Sequence, residues 1–515
     1  VQKQSERIEV TTHAILLPNW LTRCAENTPE KLAIQFGQTQ WSFAELDRQA
    51  TQLAHQLAAA GVRQGDRIAL LAANGLTFVS FVHALIKLGA ILVPLNTRLT
   101  LDELCWQLKD VKASMLVHDI QHEATAASIA RQLPQLLQAT LQLNGDQVTL
   151  QNGPEKEVTL RALIDLSATQ AILYTSGTTG NPKGVLITYE MQWWNAIGSA
   201  LNLEHHADDR WLACMPFFHI GGLSILLRSV INGISVIGLE KFDAIPVNEA
   251  IQKDAVTIIS VVAVMLQRML TALDQQQENG RYPSTLRCVL LGGGPAPLPL
   301  LQNCARRDIP IVQTYGLTES CSQAVTLAPH DALRKLGSAG RPLLPVQLRI
   351  MNEDQIAAPG ETGVICLKGP SITQGYADRP EATAAAIKDG WLTTGDLGYL
   401  DEEGYLYVLD RRSDLIISGG ENVYPAEIES VLRSHAAIEE AGVCGQVDQE
   451  WGQVPIAFVK FYEGKTATIE ELHAHVQHYL ARYKQPRTIY IVEQLPRNSA
   501  GKLLRRELHT LLPEG

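Results

Sequence analysis

Eleven consecutive residues, Tyr174-Thr-Ser-Gly-Thr-Thr-Gly-Asn-Pro-Lys-Gly184, carry four aliphatic hydroxyls, three glycines and a lysine. Glycine lets a backbone curl until several N–H groups face one anion. Gly177, Gly180 and Gly184 give that freedom, Thr175, Ser176, Thr178 and Thr179 add hydroxyl donors, and Lys183 adds a mobile positive charge. The set suits a polyphosphate. Its spacing is not that of the Gly-x-x-x-x-Gly-Lys-Ser/Thr loop. A merely flexible connection between strands would not need so many donors in so short a stretch.

Other clusters offer complementary chemistry. Leu291-Gly-Gly293-Gly294-Pro295-Ala-Pro follows an apolar run and lets a flat ligand approach the backbone, although the same letters also make a plain turn. Gln313-Thr314-Tyr315-Gly316-Leu-Thr318-Glu319 sets a stackable ring, a glycine and a carboxylate at a strand end, where α/β sheets bind ligands. Asp396, in Thr393-Thr-Gly-Asp396, and Arg411 supply a carboxylate and a guanidinium suited to ribose hydroxyls; alone, Asp396 also reads as a surface cap. Lys502, in Pro496-Arg-Asn-Ser-Ala-Gly-Lys502, would by itself pass for a solvated lysine beside a basic tail. Arg228 interrupts the apolar run Gly222-Leu-Ser-Ile-Leu-Leu-Arg-Ser-Val-Ile231. A charge there is costly unless it is paired or snorkels to water.

These residues need a scaffold. Apolar residues three and four apart mark residues 43–57 as an amphipathic helix, and a second helix is expected over residues 77–88. Short apolar runs near residues 32–36, 66–72, 90–95, 258–262, 289–291 and 311–315 read as strands between helices, the rhythm of an open α/β sheet covered on both faces. After about residue 337 the pattern turns to short strands with Gly/Pro turns. A small α/β unit follows from about residue 414, with an amphipathic helix near residues 470–480. The expected fold class is α/β: a large N-terminal domain of layered sheets over residues 1–410, β-rich from about 337, a hinge at 411–414, and a small mobile C-terminal domain over 415–515.

Bulk properties bound the function. A chain of 515 residues, 46% hydrophobic and 19% charged, has material for several globular units. A formal net charge of −11 argues against a nucleic-acid partner. The eight cysteines form no C-x-x-C pair and read as buried reduced thiols. No apolar stretch approaches a membrane span. The first residues are polar, so a reducing cytoplasm is expected; the chain opens on Val1, which leaves its true start open. A homo-oligomer is left open.

Taken in order, residues 175–184, Phe217-Phe-His219, Tyr315-Gly-Leu-Thr-Glu319, Thr394-Gly-Asp396, Asp410-Arg-Arg-Ser-Asp-Leu-Ile-Ile-Ser-Gly-Gly420 and Pro496-Arg-Asn-Ser-Ala-Gly-Lys502 resemble the adenylate-forming superfamily of acyl-CoA synthetases, luciferases and peptide-synthetase adenylation domains. The resemblance spans residues 19 to 506. It implies an enzyme using ATP, Mg²⁺ and coenzyme A. Thr175, Ser176, Gly177, Thr178, Thr179, Gly180 and Lys183 would hold the ATP phosphates, and Thr318 and Glu319 would meet the phosphates and Mg²⁺. Tyr315 would stack on adenine beside Gly293, Gly294 and Pro295, with Gln313, Thr314 and Gly316 nearby and Asp396 and Arg411 on the ribose. Lys502 would bridge the α-phosphate and the attacking carboxylate, with His219 as the other residue implied at the reacting centre. Ser418, Gly419 and Gly420 would line a pantetheine tunnel once the C-terminal domain has swung about Ser413. Relatives often carry Asp or Lys at that hinge position, so Ser413 is a departure.

Two features narrow the acid. Amino-acid-activating relatives place Asp where this chain has His219, which argues against an amino acid. Arg228, nine residues later, could receive a second carboxylate, with Ser224 sharing the load. Stretches such as Asp209-Arg-Trp-Leu212, Gly337-Ser-Ala-Gly340 and Ser418-Gly-Gly-Glu-Asn-Val-Tyr-Pro-Ala-Glu427 resemble the bacterial subfamily acting on 2-succinylbenzoate in menaquinone biosynthesis. Another aryl- or medium-chain acyl-CoA synthetase, or a non-catalytic nucleotide-binding relative, remains the alternative.

Overall fold

A computed structural model describes residues 14–512 apart from 152, 154–156, 176–181, 277–279, 294, 295, 297, 354, 411–414, 497–502 and 504. Two large sheets dominate it. The seven-stranded sheet has Arg67–Leu71 at its centre, with Ile91–Pro94 and Met115–Asp119 parallel on either side. The nine-stranded sheet runs parallel from Leu32–Phe36 through Ser235–Gly238, Arg210–Ala213, Ile258–Val261 and Cys288–Leu291 to Ile311–Tyr315, with antiparallel strands at both edges.

Helices Phe43–Ala59, Leu76–Leu88, Tyr189–Leu203 and Ile220–Asn232 share one buried core with strand residues of both sheets, such as Leu70 and Leu92 from one and Trp211 and Val236 from the other. Both sheets also carry a separate core on their other face. This layering explains why Leu76–Leu88 is mostly apolar and why even its polar residues Ser80, His83 and Lys87 are buried. Its two ionisable residues fit this burial. Burial pushes His83 down to about 3, so it stays neutral, and buried Lys87 meets Asp47 at 2.7 Å and the Thr22 hydroxyl at 2.8 Å.

Local signals set the helix ends. Ser42 and Glu45 form a capping box before Phe43–Ala59, as do Thr468 and Glu471 before Ile469–Tyr479. The β-rich part expected after residue 337 is a six-stranded antiparallel sheet built around Gln347–Asn352, Gly363–Lys368 and Trp391–Leu400. Beyond it, Ile416–Ser418, Glu421–Val423, Ile438–Asp448, Gly452–Phe461 and Ile489–Ile491 form a five-stranded sheet carrying helices Pro425–Arg433 and Ile469–Tyr479. Among the described residues no helix is long and apolar enough to cross a membrane.

Candidate active site

A cavity of about 1030 Å³ opens at the carboxyl ends of the nine-stranded sheet's parallel strands, where Val261, Gly292, Thr314 and Gly316 face it. That is where open α/β sheets bind ligands, and the volume suits a nucleotide joined to a second group. Tyr376 and Asp396 line it from the β-rich side, and Leu415, Gly420 and Tyr424 from the C-terminal part.

On the phosphate side, Thr175 and Lys183 are paired across the antiparallel hairpin of Thr169–Thr175 and Lys183–Thr188, and both line the cavity. The Lys183 ammonium lies 5.2 Å from the centre of the Tyr376 ring. Ser176, Gly177, Thr178, Thr179 and Gly180 lie outside the described residues, as do Gly294, Pro295, Arg411, Ser413 and Lys502. Glu319 and Thr318 line the same cavity. One Glu319 oxygen accepts the Tyr376 hydroxyl at 3.0 Å. No group of three or more His, Cys, Asp and Glu among the described residues is placed to hold a metal ion by itself. A lone carboxylate fits Mg²⁺ that arrives with phosphate oxygens and water as its other ligands.

On the nucleoside side, Gly293 lines the cavity with φ +78°. Gly316 must be glycine for another reason: a Cβ there would lie 1.5 Å from the Ser322 carbonyl oxygen. Asp396 is buried at the cavity wall and accepts the Tyr315 hydroxyl at 2.6 Å. Three expected residues are not among those lining the cavity. Tyr315, between the lining residues Thr314 and Gly316, is 5% exposed, and its hydroxyl holds Asp396. The Gln313 side chain is taken by the Gly337 N–H at 3.0 Å, outside the cavity lining. Ser224 is buried in its own helix, where its hydroxyl donates to the Gly221 carbonyl at 3.4 Å.

The acid side is built on Ile220–Asn232. His219 is the residue just before the helix, and Arg228 sits nine positions along; both line the cavity. Arg228 is 2% exposed, so it does not snorkel. Its guanidinium donates to the Asn195 side-chain oxygen and lies 5.5 Å from the Trp211 ring centre. Burial pushes it down to about 10, which leaves it charged at neutral pH.

The C-terminal part closes the cavity from above. Glu421 meets His219 at 2.9 Å and Arg98 at 2.7 Å. Lys484 bridges Glu103 at 2.7 Å and Glu427 at 2.8 Å. Ser418 is buried, the Gly419 N–H donates to the Trp451 carbonyl at 2.8 Å, and Gly420 reaches the cavity with φ +86°. Sequence reasoning missed Asn195, Glu421 and Lys484. Asn195 stands among apolar neighbours, but Glu421 and Lys484 lie in polar stretches, and none of these settings identifies a partner.

Residues 21–377 match the family model described as AMP-binding enzyme, and residues 427–502 match AMP-binding enzyme C-terminal domain. The chain belongs to the AMP-binding enzyme family. One relative of this AMP-binding enzyme is 2-succinylbenzoate--CoA ligase from Geobacillus sp. (strain WCH70), 52% identical over 96% of this chain and 98% of its own. Among solved structures, a double mutant of o-succinylbenzoate CoA synthetase from Bacillus subtilis, bound with its product analogue OSB-NCoA, matches with TM-score 0.89 and 44% identity over 96% of this chain and 99% of its own. The synthetase from the same organism in complex with ATP and magnesium ion matches with TM-score 0.73 and 43% identity over 96% and 100%. Identity is nearly the same in both, so the higher score reflects arrangement: this AMP-binding enzyme lies closer in overall shape to the product-analogue complex.

Proposed function

We propose that this chain is an ATP-dependent acid–thiol ligase that activates 2-succinylbenzoate as its acyl-adenylate and transfers the acyl group to coenzyme A. The products are 2-succinylbenzoyl-CoA, AMP and diphosphate, a step of menaquinone biosynthesis. One observation carries the choice of acid: a buried, charged guanidinium, Arg228, opens on the cavity that Thr175, Lys183, Glu319 and Asp396 also line.

The chemistry needs no nucleophilic side chain. In the first step an oxygen of the succinyl carboxylate attacks the α-phosphorus, the α–β bridging P–O bond breaks, and diphosphate leaves. The residues act by positioning and charge neutralisation. Lys183 and the hairpin hydroxyls hold the phosphates, Asp396 and Arg411 the ribose, and Lys502 steadies the α-phosphate against the carboxylate. Glu319 would hold Mg²⁺, which neutralises phosphate charge. In the second step the CoA sulfur attacks the acyl carbon, the thiol proton is lost, and the C–O bond to AMP breaks.

We take residues 1–410 as the large domain, 411–414 as the hinge and 415–515 as the mobile domain. The contacts of Glu421 and Lys484 with the large domain support a thioester-forming arrangement, with Gly420 brought to the cavity. A cytoplasmic location supplies ATP and CoA. The test is diphosphate release with ATP and Mg²⁺ across a panel of aryl and aliphatic acids. Turnover of 2-succinylbenzoate should exceed that of every other acid; preference for a monoacid would redirect the assignment.

A further inference from the structure

We infer that Gln323 is a second specificity-determining residue, its side-chain amide donating to the ring carboxylate of the diacid beside Arg228. The inference rests on the proposed reading of Arg228 and adds a residue to it. Gln323 is 2% exposed and lines the cavity, yet neither its Nε2 nor its Oε1 has a hydrogen-bond partner among the described residues. The Nε of Arg228 is also buried without one. Buried amides and guanidinium N–H groups are nearly always satisfied, because leaving them unpaired forfeits their hydration. Both orphan donors belong to residues that line one cavity, and we read them as the place where a ligand supplies acceptors.

One residue ties the pair together. Asn195, on helix Tyr189–Leu203, accepts from Arg228 through its side-chain oxygen and donates through its side-chain nitrogen to the Gln323 carbonyl at 2.6 Å. Gln323 follows Cys321 and Ser322, both at positive φ, so the chain turns sharply just before it. Asn195 thus holds the Arg228 guanidinium and the main chain of Gln323 through one side chain. A carboxylate has only acceptors, enough for both donors. An alkyl or unsubstituted phenyl tail would leave both unpaired, and sites built to hydrogen-bond a substrate reject analogues lacking the group. The Gln323 oxygen then needs a donor, which ordered water can supply.

The test compares 2-succinylbenzoate with 4-phenyl-4-oxobutanoate, which lacks the ring carboxylate, in Gln323→Leu and Gln323→Glu. In the Leu variant kcat/KM for the diacid should fall about tenfold to a hundredfold, and for the monoacid by at least tenfold less. Gln323→Glu keeps the size but sets a negative charge toward the carboxylate, so its selective loss should be larger. The ligand-free melting temperature of the Leu variant should not fall, since an unpaired amide has been removed. Equal losses on both acids, or a lower melting temperature with unchanged preference, would overturn the inference. Wild-type turnover of 2-succinylbenzoate tests the underlying reading separately: without it that reading fails, whereas turnover with unaltered preference in both variants removes Gln323 alone.

Discussion

The His219 ring nitrogen and the Glu421 carboxylate meet at 2.9 Å although 202 positions separate them in the chain. Burial alone would raise the Glu421 carboxyl; the charges of His219, Arg98 and Lys484 overcome it and hold the group below its ordinary value of 4.5. A carboxyl depressed by such partners stabilises the closed arrangement above the ordinary value and loses that contribution as pH falls through the lowered one. Glu421→Gln should therefore slow thioester formation from supplied acyl-adenylate by about tenfold, a modest figure because His219 and Arg98 are partly exposed. ATP–diphosphate exchange should be spared. Stopped-flow measurement of the two half-reactions checks this, and equal loss in both would mean that the contact does not select an arrangement.

Lys502 divides the work differently. Lys502→Ala should abolish ATP–diphosphate exchange while largely sparing thioester formation from supplied adenylate. The expectation comes from a lysine distant in sequence from the other ATP motifs, which the proposed domain rotation carries away. Parallel loss of both half-reactions would count against two arrangements.

Rotation requires a large φ/ψ change at one or two residues, and proline holds φ near −65°. Ser413→Pro should leave adenylate formation measurable and block the thioester step. Full overall turnover by this variant would move the hinge elsewhere.

Arg228 carries the choice of acid. Removing one partner of a buried charge pair costs about 3–5 kcal/mol, so Arg228→Ala should lower kcat/KM for 2-succinylbenzoate by about two to three orders of magnitude. The loss on 4-phenyl-4-oxobutanoate should be much smaller, collapsing the preference for the diacid. Parallel weakening of the two acids would make Arg228 a structural residue, held by Asn195 and Trp211 for packing alone.

How much of this was legible beforehand depended on how far apart the interacting residues lie. Helix Leu76–Leu88 and strand Ile311–Tyr315 follow from apolar runs, and Gly89 in the left-handed conformation ends the helix, signals set by residues within one or two turns. For the hairpin residues Thr175 and Lys183 type and spacing suggested an anion site, whereas the expectation for Glu319 came from the family resemblance; all three line one cavity. Arg228 was only half legible. Its run allowed either snorkelling or burial, and enclosure of Ile220–Asn232 between two sheets decided for burial.

The Gln313, Tyr315 and Ser224 side chains bond to Gly337, Asp396 and Gly221. Gln313 and Tyr315 lie on one strand with Thr314 between them, yet Thr314 is the one that lines the cavity. Asn195, Gln323 and Glu421 could not have been singled out, since each takes its meaning from contacts with other segments: Asn195 bonds Arg228 33 positions away and Gln323 128 away, and Glu421 bonds His219 202 away. Sequence thus determined the elements, which rest on short-range pattern, and the class of reaction, which its ordered motifs carried through resemblance to a family. Tertiary structure alone decided which polar groups are buried without partners and which residues line one cavity, because burial and pairing depend on the packing of distant segments.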